Sequence, residues 1–204
     1  EMIYLVTREQ KLFDSEYYEV ITVEESLTLM EYWKRVQYDS ETSGRDPHIC
    51  KLLCMQFGND AADIRIVVDC ETINPLLYKE VLETKLVIGQ NLKFDLQFLY
   101  NYGIIPRRVY DTMIVEQLLY LGYPSGVISY SLKSIADRRL GIDIDKTVRG
   151  EIIWRGLDTS VILYAAGDVT YLEQIMSKQR EDYLAKKCAK AAKIECDFVP
   201  VIAY

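Results

Sequence analysis

Histidine is almost missing from this chain, with one residue, His48, among 204. A Cys/His zinc site therefore has little to build on. A Ser-His-Asp triad would have to use the loop Arg45-Asp46-Pro47-His48, where nothing resembles a nucleophile elbow. The five cysteines (Cys50, Cys54, Cys70, Cys188, Cys196) are odd in number and irregular in spacing, which argues against a disulfide framework and reads as buried thiols. Long apolar runs are absent as well. Met2–Val6 is too short for a signal peptide and has no basic flank. Val161–Ala166 falls far below the roughly 20 residues of a membrane span. There is no repeat and no low-complexity stretch. These absences predict a soluble, cytoplasmic protein with no membrane partner.

What is present suits one domain, or one domain with a helical appendage. Half of the residues are hydrophobic, enough for a sizeable core, and 27% are charged. The net charge of −7 by itself speaks against nucleic acid as a partner. The charge is unevenly placed, however. Between Lys133 and Arg155 lie six bases (Lys133, Arg138, Arg139, Lys146, Arg149, Arg155) against four acids. Metal ions held by carboxylates would offset more of the negative charge, so the global sign does not decide the partner.

Residues 1–17 read as a polar lead-in. Tyr18–Thr22 suits a short strand, and Thr22-Val23-Glu24-Glu25 fits a capping box that starts a helix to about Lys34. Val36–Asp39, Ile49–Phe57 and Ile64–Val68 are short apolar or alternating runs. Gly58-Asn59-Asp60 supplies turn residues between the last two. Pro75–Glu83 reads as a helix and Lys85–Ile88 as a buried strand. From Lys93 onward the helical period dominates, with helical segments over Asp95–Tyr102, Thr112–Leu121 (capped by Asp111), Leu132–Leu140 and about Thr159–Lys187, the last of which can break and restart before the C-terminus. Strands first and helices later predict a mixed α/β domain around a central sheet, with a largely helical C-terminal half.

Three fragments carry the chemistry. In Tyr38-Asp39-Ser40-Glu41 two carboxylates at i and i+2 end an apolar strand, so they share a face and repel. A divalent cation would remove that repulsion, and an all-oxygen site suits Mg²⁺ or Mn²⁺. With 31 acids in the chain one such pair is weak evidence, and a solvated strand end is the default. Asp95 follows a buried strand through Gly89-Gln90-Asn91-Leu92-Lys93-Phe94 and falls in a first helical turn, where the helix dipole alone would favour it. Tyr164 and Asp168 stand at i and i+4 on one helix face. An acid in mid-helix among Leu163, Ala165, Val169 and Leu172 is unfavourable unless solvated or bound.

Taken in order, Asp39-x-Glu41, Asn91-x-x-x-Asp95 and Tyr164-x-x-x-Asp168 resemble the DEDD exonuclease superfamily, in the subclass with tyrosine at the last motif. The resemblance covers roughly residues 34–180 and implies a ribonuclease H-like sheet flanked by helices. Within that superfamily the chain looks most like the proofreading domain of A-family DNA polymerases, of phage type. Ser131–Leu140 resembles the helix between the last two motifs there, and Glu195–Tyr204 the helix that leads into the polymerase. That likeness divides the chain into a lead-in (1–18), the exonuclease domain (19–187) and the start of a connection to a polymerase domain in cis (188–204). Ribonuclease D-like and Werner-type exonucleases resemble it too, around Leu140–Lys146 and Tyr164–Leu172. A non-catalytic DNA-positioning module is the reading from another class.

The resemblance further implies two divalent cations, Mg²⁺ or Mn²⁺, and a monomer acting on a single-stranded DNA 3′ end, with RNA as the other possibility. Asp39 would bridge both ions. Glu41 and Asp168 would complete the ion that activates water, and Asp95 would hold the second through water. Tyr164 would orient the attacking water; with an unperturbed pKa of about 10 it is no efficient base at neutral pH. Substrate contacts would come from Thr42, Asn91, Phe94, Lys133 and Arg149. Arg45 departs from the pattern, standing where proofreading domains often carry an apolar wedge.

Overall fold

The computed structural model describes residues 2–124, 126–144 and 152–204. Among them seven strands form one mixed sheet: β1 (Met2–Val6), β2 (Glu19–Val20), β3 (Arg35–Thr42), β4 (Leu52–Asn59), β5 (Ile64–Asp69), β6 (Leu86–Gly89) and β7 (Val109–Asp111), in the order β2-β1-β5-β4-β3-β6-β7. The pairs β3–β4 and β4–β5 are antiparallel; β1–β2, β1–β5, β3–β6 and β6–β7 are parallel. Helices α1 (Val23–Met30), α2 (Lys79–Thr84), α3 (Leu92–Tyr100), α4 (Thr112–Leu119), α5 (Leu132–Leu140), α6 (Ile152–Arg155), α7 (Thr159–Asp168), α8 (Leu172–Ala185) and α9 (Ala189–Ala203) cover the two faces. The α/β sandwich expected from the sequence is therefore observed.

One face buries Val36, Tyr38, Phe57 and Ile66 against α1, α2, α3 and α9. The other buries Cys54 and Val67 under Val161, Ile162, Ala165 and Ala166 of α7. Period-2 alternation along β3 thus sends Tyr38 to one layer while Asp39 and Glu41 stand on the other. The capping box forms as the sequence predicts, with the Glu25 N–H donating to Thr22 Oγ1 at 3.1 Å and the Thr22 N–H to Glu25 Oε2 at 2.8 Å. All five cysteines are free thiols. Among the described residues no helix is long and apolar enough to cross a membrane.

Three local readings need correction. The stretch read as a polar lead-in contributes β1, whose Leu5 and Val6 are buried because the strand sits between β2 and β5. The turn placed at Gly58–Asp60 falls later, at residues 60–63, and Gly58 stays in the ladder opposite Gln37 and Arg65. The segment over 159–187 forms two helices, and the break that the sequence allowed falls after Asp168. Strand β7 was not anticipated. The C-terminal segment forms α9, with Val199 and Ala203 buried in the main core.

Candidate active site

Strand β3 delivers Asp39 and Glu41, and its register against β4 shifts between Glu41 and Thr42, an irregularity that bends the strand end beside the site. Asp168 arrives from across the layer as the last residue of α7. This placement corrects its reading as a mid-helix acid. Carboxylate oxygens of Asp39, Glu41 and Asp168 lie within 4.8 Å of one another, and Asp168 is buried. Three like charges so close in a partly dry pocket repel unless a cation sits among them. The donor set is all oxygen, which fits a hard divalent cation such as Mg²⁺ or Mn²⁺.

Asp95 lines the same cleft, a space of about 910 Å³, without belonging to that triangle. It lies one turn into α3 and is 3% exposed, with Oδ1 accepting from the Ser40 hydroxyl at 2.5 Å. Burial raises its carboxyl to about 7, and the nearby Asp111 and Glu41 charges add to the rise, while the Ser40 hydrogen bond opposes it. Tyr164 stands one turn before Asp168 and is hydrogen-bonded to it. Burial first, then the Asp168 charge, push its hydroxyl well above the ordinary tyrosine range, so it remains a donor.

The backbone beside Asp95 is organised by Asp111. Its carboxylate accepts the Asn91 N–H (3.0 Å) and the Leu92 N–H (2.7 Å) at the start of α3, and the N–H groups of Met113 (2.9 Å) and Ile114 (3.3 Å) at the start of α4. Asn91 takes the left-handed conformation, φ 60°, that turns β6 into α3. Sequence reasoning found the second set of bonds, as a helix cap, and missed the first. Nothing local shows that β7 runs beside β6.

The remaining expected contacts divide. Thr42, Asn91, Phe94 and Lys133 line the cleft. Thr42 Oγ1 donates to the Gly44 carbonyl at 2.7 Å, and Lys133 pairs with Asp143 at 2.7 Å. Phe94 packs against Phe98, ring centres 5.2 Å apart, which leaves its cleft-facing surface on a rigid base. Arg149 lies outside the described residues. Met113 and Ile153 also line the cleft and were not anticipated, and Arg45 borders it from the loop after β3.

Residues 18–182 match the family of DNA polymerase A 3′–5′ exonuclease domains. The chain is 31% identical over 171 residues to DNA polymerase I of Aquifex aeolicus, a match that covers 80% of this chain and 27% of that protein. It is 39% identical over 90 residues to ribonuclease D of Sphingobium indicum, covering 43% of this chain and 22% of that one. The chain thus spans about a quarter of the length of these curated relatives. Among solved structures, Brucella melitensis NrnC bound to pGG superposes with a TM-score of 0.77 at 21% identity, over 99% of this chain and 91% of that one. At that identity the likeness is one of fold.

Proposed function

The chain belongs to the family of DNA polymerase A 3′–5′ exonuclease domains and is a metal-dependent 3′–5′ exonuclease; from that premise we propose that it shortens single-stranded nucleic acid from the 3′ end, as a ribonuclease D-like nuclease, releasing nucleoside 5′-monophosphates. The observation that carries this reading is the meeting of Asp39, Glu41 and Asp168 within 4.8 Å in a cleft that Asp95 and Tyr164 also line. Divalent cations, when bound by these carboxylates, would supply Lewis-acid chemistry, activating water and stabilising charge in an in-line displacement.

The residues do the rest. Asp39 on β3 would help to hold both ions, Glu41 and Asp168 one of them, and Asp95, which accepts from the Ser40 hydroxyl, the other. Tyr164 presents its hydroxyl to the attacking water and orients it, since a hydroxyl kept this firmly protonated is no base. Phe94, Met113 and Ile153 offer apolar surface to the terminal bases, and Lys133 supplies charge for the phosphates. Asn91 and Thr42, which line the cleft, would contact the sugar-phosphate chain, and Arg149 is proposed as a further phosphate contact from its charge alone. A paired end must first unstack, at a cost of about 1.4 kcal/mol per step, so a single-stranded or frayed end enters more readily. All four carboxylates come from one chain, so a monomer suffices.

The ribonuclease D-like reading is supported by the identity to Sphingobium ribonuclease D and by the fold shared with NrnC, whose structure was obtained with pGG. A second reading, proofreading with a polymerase domain in cis, is favoured by the 31% identity to Aquifex DNA polymerase I. The test uses 5′-labelled single-stranded RNA and DNA of one sequence with Mg²⁺ or Mn²⁺. Both should shorten from the 3′ end to mononucleotides, RNA at least as fast as DNA. A strong preference for DNA would move the assignment to proofreading. Asp39→Ala with Glu41→Ala should abolish hydrolysis while the chain stays folded. Residual activity in that variant would sink the metal-site assignment.

A further inference from the structure

We propose that Arg65 is a positioning residue for Asp168, acting through the corner between α7 and α8; this rests on the reading of Asp168 as a metal ligand. Asp39 and Glu41 sit on β3, paired with Gln56 and Cys54 of β4, on a strand that β6 also holds as far as Gln37. Asp168 is different. It is the last residue of α7, and the chain leaves the helix at Val169 and restarts at Leu172. The helix therefore fixes it from the N-terminal side only. Something outside the helix must fix the other side, because a small divalent cation tolerates little error in ligand placement.

Arg65 on β5 meets that need. Its side chain is 3% exposed and lies beneath the corner. Nη2 donates to the Thr170 carbonyl at 3.1 Å and Nε to Thr170 Oγ1 at 3.3 Å. The same guanidinium donates to Asp60 Oδ1 (3.2 Å) and to the carbonyls of Asn59 (3.3 Å) and Ile64 (2.9 Å). Thr170 Oγ1 in turn donates to the Ala166 carbonyl of α7 at 3.0 Å. Beyond the corner, the first turn of α8 is tied by the Glu173 N–H to Gln37 Oε1 at 2.9 Å, and Gln37 Nε2 donates to Asp60 Oδ1 at 2.7 Å. One planar fork thus joins β5, the β4–β5 turn and the residue two beyond Asp168. The point charge of lysine, with no fork, does not reproduce this.

Stability alone is a poor reason for a cation here, because a buried ion pair is often no better than an apolar replacement of the same volume. A fixed position for the corner is a better one. Gly58 fits the same picture: a Cβ there would lie 2.8 Å from the Val169 carbonyl, so the strand lets the corner approach to contact distance while Arg65 holds it.

The test measures Mn²⁺ binding by titration calorimetry on metal-stripped protein, together with the metal concentration that half-saturates the rate. Arg65→Met and Thr170→Val address the corner. Thr7→Val, which removes a buried hydroxyl bonded to Asp69 at the other end of β5 from Arg65, controls for lost stability. Arg65→Met should weaken Mn²⁺ binding at least about tenfold, the scale of outer-shell substitutions in metal sites, with Thr170→Val between it and wild type and Thr7→Val unchanged. Wild-type Mn²⁺ affinity in folded Arg65→Met overturns the proposal. If Arg65→Met does not fold, Arg65→Lys and Thr170→Val decide, and wild-type affinity in both overturns it. If the unaltered protein binds no Mn²⁺, the three-carboxylate site itself is wrong and the proposal falls with it.

Discussion

Asp111 shows how much one buried carboxylate can organise. Four backbone N–H groups from two helix starts converge on it, at a residue 1% exposed. Replacing it with alanine strands donors in a dry place. Asp111→Ala should lower stability by about 2–4 kcal/mol, with Asp111→Asn losing less because one acceptor oxygen remains. Chemical denaturation measures this, and a loss below about 1 kcal/mol would show that water replaces the carboxylate. The nuclease rate should fall as well, since Asn91 and Asp95 ride on the same turn. The half of this role that lies within α4 was legible as an acid before an apolar run. The half that reaches Asn91 was not, because the partner is 20 residues away and only the β6–β7 pairing brings it near.

At the scale of elements, helix periodicity proved a good guide to type and a poor one to breaks. The pattern over 159–187 allows a break without locating it, and α7 stops at Asp168 while α8 begins at Leu172. The corner after Asp168 is held by partners outside the helix, Arg65 and Gln37, and follows Gly167 in the last turn of α7. Gly58 was read as a turn residue for the same reason. Glycine marks a turn and a close backbone approach alike, and only the position of Val169 tells them apart. Gly58→Ala should cost roughly 1–3 kcal/mol by overpacking and slow hydrolysis by displacing the α7–α8 corner. Thermal melts and single-turnover rates would check it, and a variant with wild-type values in both would show that the corner has room to move.

For the whole molecule, the acid-rich cleft sets an unusual pH dependence. Asp95 rises from 3.8 to about 7 on folding, chiefly through burial. Between those values the folded state keeps a proton that the unfolded chain has given up. By linkage, this group makes the metal-free protein lose stability as pH rises from about 4 to 7, by at most about 1.4 kcal/mol per pH unit. Burial raises Asp111 in the same sense. Urea unfolding in EDTA at several pH values should show the decline, and Asp95→Asn should flatten it. An unchanged slope in that variant would remove Asp95 as its source. Saturating Mg²⁺ should counter the loss, because metal binding favours the ionised carboxylates of the folded state alone.

Local pattern by itself determined the residue types of the site, their order, the α/β class and the capped helix starts, since each rests on neighbours within a turn or a strand pair. Ordered carboxylates with the right spacing are a one-dimensional signal. What only the tertiary structure decided were the meetings: Asp168 with the β3 acids, Ser40 with Asp95 across the strand, Asp111 with the turn at Asn91, and Arg65 under the corner of α7 and α8. These join residues tens of positions apart through parallel pairing and layer packing. Their energies depend on burial and approach, which no local stretch of sequence contains.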